Sequence, residues 1–74
     1  MSQQRRIPRL SWDALRVLRL LRDEHVYGMG DPAGLGMTQD EIARETAYLI
    51  RLGLVATDRR LTGAGFQALR ELGA

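Results

Sequence analysis

The chain has 74 residues, no cysteine and a formal net charge of +2, and all eleven of its basic residues are arginine. A chain this short predicts one small domain with a modest core, and the missing thiols exclude disulfides and thiolate metal sites. No apolar run reaches the roughly 20 residues of a membrane span, and MSQQRRIPRL lacks the apolar stretch of a secretory signal, so a cytoplasmic protein with no membrane partner is expected.

The charge is unevenly spread. Arg5, Arg6 and Arg9 stand in the first nine residues with no acid among them, which leaves eight arginines against nine acids in the remainder. Residues 1–9 therefore read as a flexible basic arm. Such an arm is either a nucleic-acid contact or a solvated terminus. Residues 10–74 read as a single domain.

Ser11 is a good N-cap, and Leu10 with Leu15 has the spacing of a hydrophobic staple. The first helix is expected from about Trp12 to Glu24. Its core face holds Ala14, Leu15, Leu18 and Leu21, with Trp12 as a further candidate, and Val17 and Leu20 broaden it. A stripe this wide suits a helix covered by two neighbours. Arg19 and Asp23 have i,i+4 spacing, worth only about 0.2–0.5 kcal/mol. Residues 25–37, HVYGMGDPAGLGM, form a connection longer than is usual between helices. Val26 and Tyr27 pair briefly as a strand or pack on the core; the rest is a binding loop, a lid or the remnant of a lost element.

The strongest local signals lie in MTQDEIARETAYLIRLGLV, residues 37–55. Thr38 and Glu41 have the T-x-x-E spacing of a capping box, and Met37 with Ile42 has staple spacing. Ile42, Thr46, Leu49, Ile50 and Gly53 follow one helical face. Gly53 fits C′, where a left-handed residue is needed. Leu54–Thr57, the charged turn Asp58-Arg59-Arg60 and Leu61-Thr62 then predict a small β-hairpin. Thr62 caps a last helix over about 63–72 whose core face is Phe66, Leu69 and Leu72, with Leu61 and Phe66 as a third staple pair. Gly63 and Gly65 weaken its first turn by roughly 0.8–1.0 kcal/mol each relative to Ala. The expected fold class is mainly α with a small β-hairpin, in the order helix, long loop, helix, hairpin, helix.

No catalytic constellation is present. His25 is the only histidine and reads as a loop or helix-end residue; the two serines are Ser2 in the arm and Ser11 at a cap. His25 with Asp31 is too thin for a metal site. Gly28-Met29-Gly30-Asp31-Pro32-Ala33 matches G-x-G-x-x-A as a string, but no strand of convincing length precedes it and no helix opens on it. The expectation is no enzymatic activity, no cofactor and no metal.

The run LIRLGLVATDRRLTGAGFQALREL, residues 49–72, resembles the C-terminal half of winged helix-turn-helix domains, as in transcription regulators of the MarR, PadR and ArsR types. The matching positions are Leu49, Leu52, Gly53, Leu54 and Val55, then Leu61, Thr62, Gly65, Ala68 and Leu69. MTQDEIARET is similar to the helix that precedes the recognition helix in such domains. The resemblance implies a winged-helix-like fold with the hairpin as the wing. It also implies double-stranded DNA as the partner and a transcription regulator acting as a homodimer. The chain departs from the pattern between MTQDEIARET and AYLIRLGLV, where a turn and the first two turns of a recognition helix are missing. Either the two helices are fused, or the 25–37 loop has taken over part of the motif.

On that reading the DNA contacts are Arg5 and Arg6 of the arm, Arg44, Tyr48 and Arg51 on one face of the central helix, and Arg59 and Arg60 at the hairpin tip. Guanidinium groups suit phosphates and guanine. Each residue also has a plainer role. Arg44 can pair with Asp40, Tyr48 can cover the core edge, Arg51 can offset the helix dipole, and Arg59 and Arg60 can keep an exposed edge soluble. Asp40, Glu41 and Glu45 oppose a groove-reading helix. They favour the alternative, a winged-helix protein-interaction module that no longer reads DNA and uses Tyr48, the hairpin edge and the glycine loop to bind a protein partner.

Overall fold

The structure, a computed structural model, describes residues 10–73. The basic arm of residues 1–9, with Arg5 and Arg6, and the last residue lie outside the described residues. Three helices are formed, α1 Trp12–Tyr27, α2 Gln39–Arg51 and α3 Gly63–Glu71, with a turn of 3-10 helix at Pro32–Leu35 between the first two.

Helix α1 is the centre of the packing. Ser11 caps it by accepting the Ala14 N–H at Oγ over 3.0 Å. Ala14, Val17, Leu18, Leu20 and Leu21 are buried, and α1 meets both α2 and α3. The wide stripe has the two neighbours its width calls for. Trp12 is 78% exposed and so does not belong to the core. The helix also passes the expected end at Glu24 and runs to Tyr27, so Val26 and Tyr27 are exposed helical residues rather than a strand. It stops at Gly28, the first residue able to take a left-handed conformation without strain (φ 67°). The Arg16 guanidinium donates to the carbonyl of Leu35 and so ties the 3-10 turn to α1. Arg16 also pairs with Asp13 at 3.5 Å, and Asp23 pairs with Arg22 at 3.1 Å rather than with Arg19.

Helix α2 is one unbroken helix, so residues 39–51 contain no turn. The capping box is complete: Thr38 Oγ1 accepts the Glu41 N–H at 3.1 Å and Glu41 Oε1 accepts the Thr38 N–H at 2.8 Å. Ile42, Thr46 and Leu49 are buried, and Ile50 packs against the core as well. The Thr46 hydroxyl is satisfied inside the helix by donating to the Ile42 carbonyl at 2.8 Å. At the exit, Gly53 (φ 80°) donates to Ile50 and Leu54 donates to Leu49. This pair of bonds is a Schellman motif, and it turns the chain back across the end of the helix.

The expected β-hairpin wing is not formed, and no strand occurs among the described residues. Residues 55–61 hold one antiparallel bridge, Val55 with Leu61. The reason is length. The Schellman turn uses the chain through Leu54, and Thr62 already caps α3, so each arm has one residue left to pair. Both are taken into the core, Val55 2% and Leu61 6% exposed. Between them the Ala56 carbonyl accepts the Arg59 N–H at 2.9 Å, and the Ala56 N–H donates to the Arg60 carbonyl at 2.8 Å. The fold is therefore a three-helix assembly with a tight turn where a hairpin was expected.

Thr62 joins the α2 exit to the α3 entry. Its Oγ1 accepts the Gly65 N–H at 3.1 Å and its hydroxyl donates to the Gly53 carbonyl at 2.7 Å. Its own N–H donates to the Leu54 carbonyl at 3.1 Å. Ala68 and Leu69 are buried on α3 and Phe66 packs at the core edge, whereas Leu72, expected inside, is 42% exposed just past the helix end. Leu10, Leu15, Met37, Ile42, Leu61 and Phe66, the members of the three staple pairs, all join the core or pack against it. No helix among the described residues is long and apolar enough to cross a membrane.

Candidate nucleic-acid interface

Helical spacing places Arg44, Tyr48 and Arg51 on the side of α2 away from Ile42, Thr46 and Leu49, and all three are exposed. Tyr48 is the least so, at 37%, which fits a ring lying along the helix with its hydroxyl in water. Arg44 forms no ion pair with Asp40, and among the described residues neither Arg44 nor Arg51 has an ion-pair partner. Arg51 stands in the last turn, where its charge offsets the negative end of the helix dipole. Two of the three acids of α2 gather at the other end, and Glu45 lies in mid-helix. Asp40 and Glu41 are in the first turn, and the Glu41 carboxylate is occupied by the cap.

Arg59 and Arg60 sit in the turn that replaces the hairpin. Arg59 is the only non-glycine residue with positive φ among the described residues, at 72°. It lines an open groove whose walls include Leu20 and Glu24 of α1 and Ala43, Ala47 and Ile50 of α2. The turn thus carries Arg59 over the groove between α1 and α2, on the flank of α2 that bears Ala43, Ala47 and Ile50. Arg60 goes the other way. Its Nη2 lies 3.3 Å from Nε2 of His25, in the last turn of α1, and its backbone N–H is held by Asp58 Oδ1 at 3.0 Å. Of the seven residues expected to touch DNA, Arg44, Tyr48 and Arg51 share the outer face of α2, and Arg59 stands at the groove on its flank. Arg60 joins α1 instead, and Arg5 and Arg6 lie outside the described residues.

His25 matters more to this region than its place in the chain indicates. Its Nδ1 accepts the Leu61 N–H at 3.1 Å, and its ring tilts against Phe66 with centroids 5.4 Å apart at 48°. The contact joins α1, the turn and α3, and its partners Leu61 and Phe66 lie 36 and 41 residues away in the chain. No local spacing signals it.

The groove beside α2 is largely apolar, and Trp12, Tyr27 and Met29 are exposed elsewhere, at 78%, 65% and 67%. The remaining arginines of α1 are structural or solvated: Arg16 and Arg22 have partners, and Arg19 is exposed. No protein-family model, curated protein or solved structure matches this chain.

Proposed function

We propose that this chain is a small domain that binds double-stranded DNA, with Arg44, Arg51 and Arg59 neutralising backbone phosphates along α2 and in the turn that follows it. The observation that supports it is the set of unpaired guanidinium groups there. Arg44 and Arg51 are about 10 Å apart along the axis at 1.5 Å per residue, and Arg59, in a left-handed backbone conformation, lines the groove on the flank of α2. Of the acids that argue against a groove-reading helix, Asp40 and Glu41 stand in the first turn of α2, whereas Glu45 follows Arg44 in mid-helix. An approach through Tyr48 and Arg51, rather than through the helix N-terminus, keeps Asp40 and Glu41 away from phosphate. A regulator of transcription working as a homodimer is the role in which so few contacts per copy would suffice, since a second copy doubles them.

The test is binding of a labelled random-sequence duplex at several salt concentrations. The expected result is an affinity that falls linearly on a log–log plot, with a slope of about −0.9 per phosphate neutralised. Absence of binding at low salt would sink the proposal.

A second reading is a protein-interaction domain. The apolar groove between α1 and α2 and the exposed Tyr27 and Met29 favour it, because exposed apolar patches mark contact surfaces more often than chance. Under this reading the duplex does not bind, and changing Ala47 in the groove to Glu blocks the partner.

A further inference from the structure

The contact between His25 and the 56–61 turn has a chemical oddity. The Leu61 backbone N–H can only donate, and it meets Nδ1 at 3.1 Å. In the neutral form of the ring this geometry leaves Nδ1 as the acceptor and the proton on Nε2. Nε2 in turn faces Nη2 of Arg60 at 3.3 Å. A guanidinium donates and cannot accept. Two donors thus face each other with no acceptor between them.

We infer that His25 Nε2 and the Arg60 guanidinium form a two-pronged site for a phosphate oxygen. Both prongs are held in place by other contacts. The imidazole is fixed by the Leu61 N–H and by the Phe66 ring. Arg60 is fixed at its backbone, where Asp58 accepts its N–H at 3.0 Å and Ala56 donates to its carbonyl at 2.8 Å. A phosphate oxygen accepting from both nitrogens turns a donor–donor approach into two hydrogen bonds, one of them charge-assisted.

The charges around the cleft narrow the ligand. It is lined by Glu24, His25, Asp58, Arg59 and Arg60. The Asp58 carboxylate is committed to the turn, and the Glu24 side chain lies against Gly30, with Cγ only 2.8 Å from where a Gly30 Cβ would stand. Two acids against two arginines suit a singly charged phosphodiester better than a free dianion. As a contact to DNA the site rests on the DNA-binding reading above; as a phosphate site it does not. It also returns Arg60 to the interface by way of α1, in place of the hairpin tip expected from the sequence.

His25 is the only histidine, so its imidazole nitrogens give one unambiguous set of NMR resonances. The experiment follows them in the whole chain well above the ordinary imidazole range, adding dimethyl phosphate, a singly charged phosphodiester, in one arm and a short random-sequence duplex in the other. The comparisons are Arg60→Gln and His25→Asn. The second places an amide oxygen near the Nδ1 position, so it keeps an acceptor for Leu61 and removes the Nε2 donor. The expected result is an Nε2–H tautomer whose Nε2 resonance moves in both arms, with the phosphate-induced shift lost in Arg60→Gln. The salt slope of duplex binding should fall by about 0.9 in Arg60→Gln. It should stay unchanged in His25→Asn, while the affinity drops. Movement with dimethyl phosphate alone, and no duplex binding, supports the phosphate site and sinks the DNA reading. Duplex binding with Nε2 unmoved in both arms overturns the site and leaves the DNA reading standing. An Nδ1–H tautomer in the free protein overturns the site outright, whatever the variants do.

Discussion

Gly65 lies so close to Leu54 that a Cβ on the glycine would stand 2.1 Å from the Leu54 carbonyl oxygen. That oxygen also accepts the Thr62 N–H, so the first turn of α3 is seated directly on the exit of α2. The obstacle is backbone, which cannot swing aside as a side chain would. Gly65→Ala should therefore destabilise the fold by about 1–3 kcal/mol, the usual range for overpacking, despite alanine's better helix propensity. Gly63 has nothing within 4 Å of its virtual Cβ. Gly63→Ala should instead stabilise by about 0.4–1 kcal/mol, chiefly through the unfolded chain. Urea unfolding of the pair checks both signs at once; equal effects would refute the close-approach argument.

The capping box at the start of α2 makes a local prediction. Thr38→Ala removes the acceptor of the Glu41 N–H and should cost about 0.5–2 kcal/mol. Thr38→Ser keeps the hydroxyl and should cost much less. The midpoint of denaturant unfolding should move with the slope unchanged, because the folded surface is the same.

Arg59 offers a substitution that separates stability from binding. A left-handed backbone costs a residue with a Cβ about 1–2 kcal/mol, and Arg59 has φ 72°. Arg59→Gly should raise stability by about 1 kcal/mol once the greater freedom of the unfolded glycine is set against that relief. The same change should weaken duplex binding and reduce the salt slope by about 0.9. A variant that is more stable yet binds DNA as well as the parent would remove Arg59 from the interface.

Arg44→Ala and Arg51→Ala address the face of α2. Both side chains are exposed and without an ion-pair partner among the described residues. Each substitution should leave stability within about 0.5 kcal/mol while lowering the salt slope by about 0.9. Arg19→Ala, also exposed but on the outer side of α1, should change neither. Equal losses from all three would mean that only total charge matters and that α2 presents no particular face.

The caps at Ser11, Thr38 and Thr62, the staple pairs around them and the left-handed stop at Gly53 were all legible in the chain itself. Each is an interaction between residues three to five apart, so spacing alone specifies it. The same holds for the buried face of α2, which follows from one period. Expectations that required knowing where distant segments meet fared worse. The hairpin wing failed because its apolar residues, Val55 and Leu61, are drawn into the core as soon as α2 and α3 are capped. Leu72, expected inside, and Trp12, a further candidate for the core, are both exposed, since apolar character does not say whether a neighbour reaches the helix end. Gly65 was read as a weak helix former, but its missing Cβ is what lets α3 approach Leu54. The link from His25 to Leu61 joins residues 36 apart. The sequence by itself thus determined where each helix starts, where α2 stops and which face α2 buries, because hydrogen-bond caps and periodicity are local. Only the tertiary structure decided how the helices seat on one another and that Arg60 turns to His25, because packing distances between remote backbones are not written in any short stretch of chain.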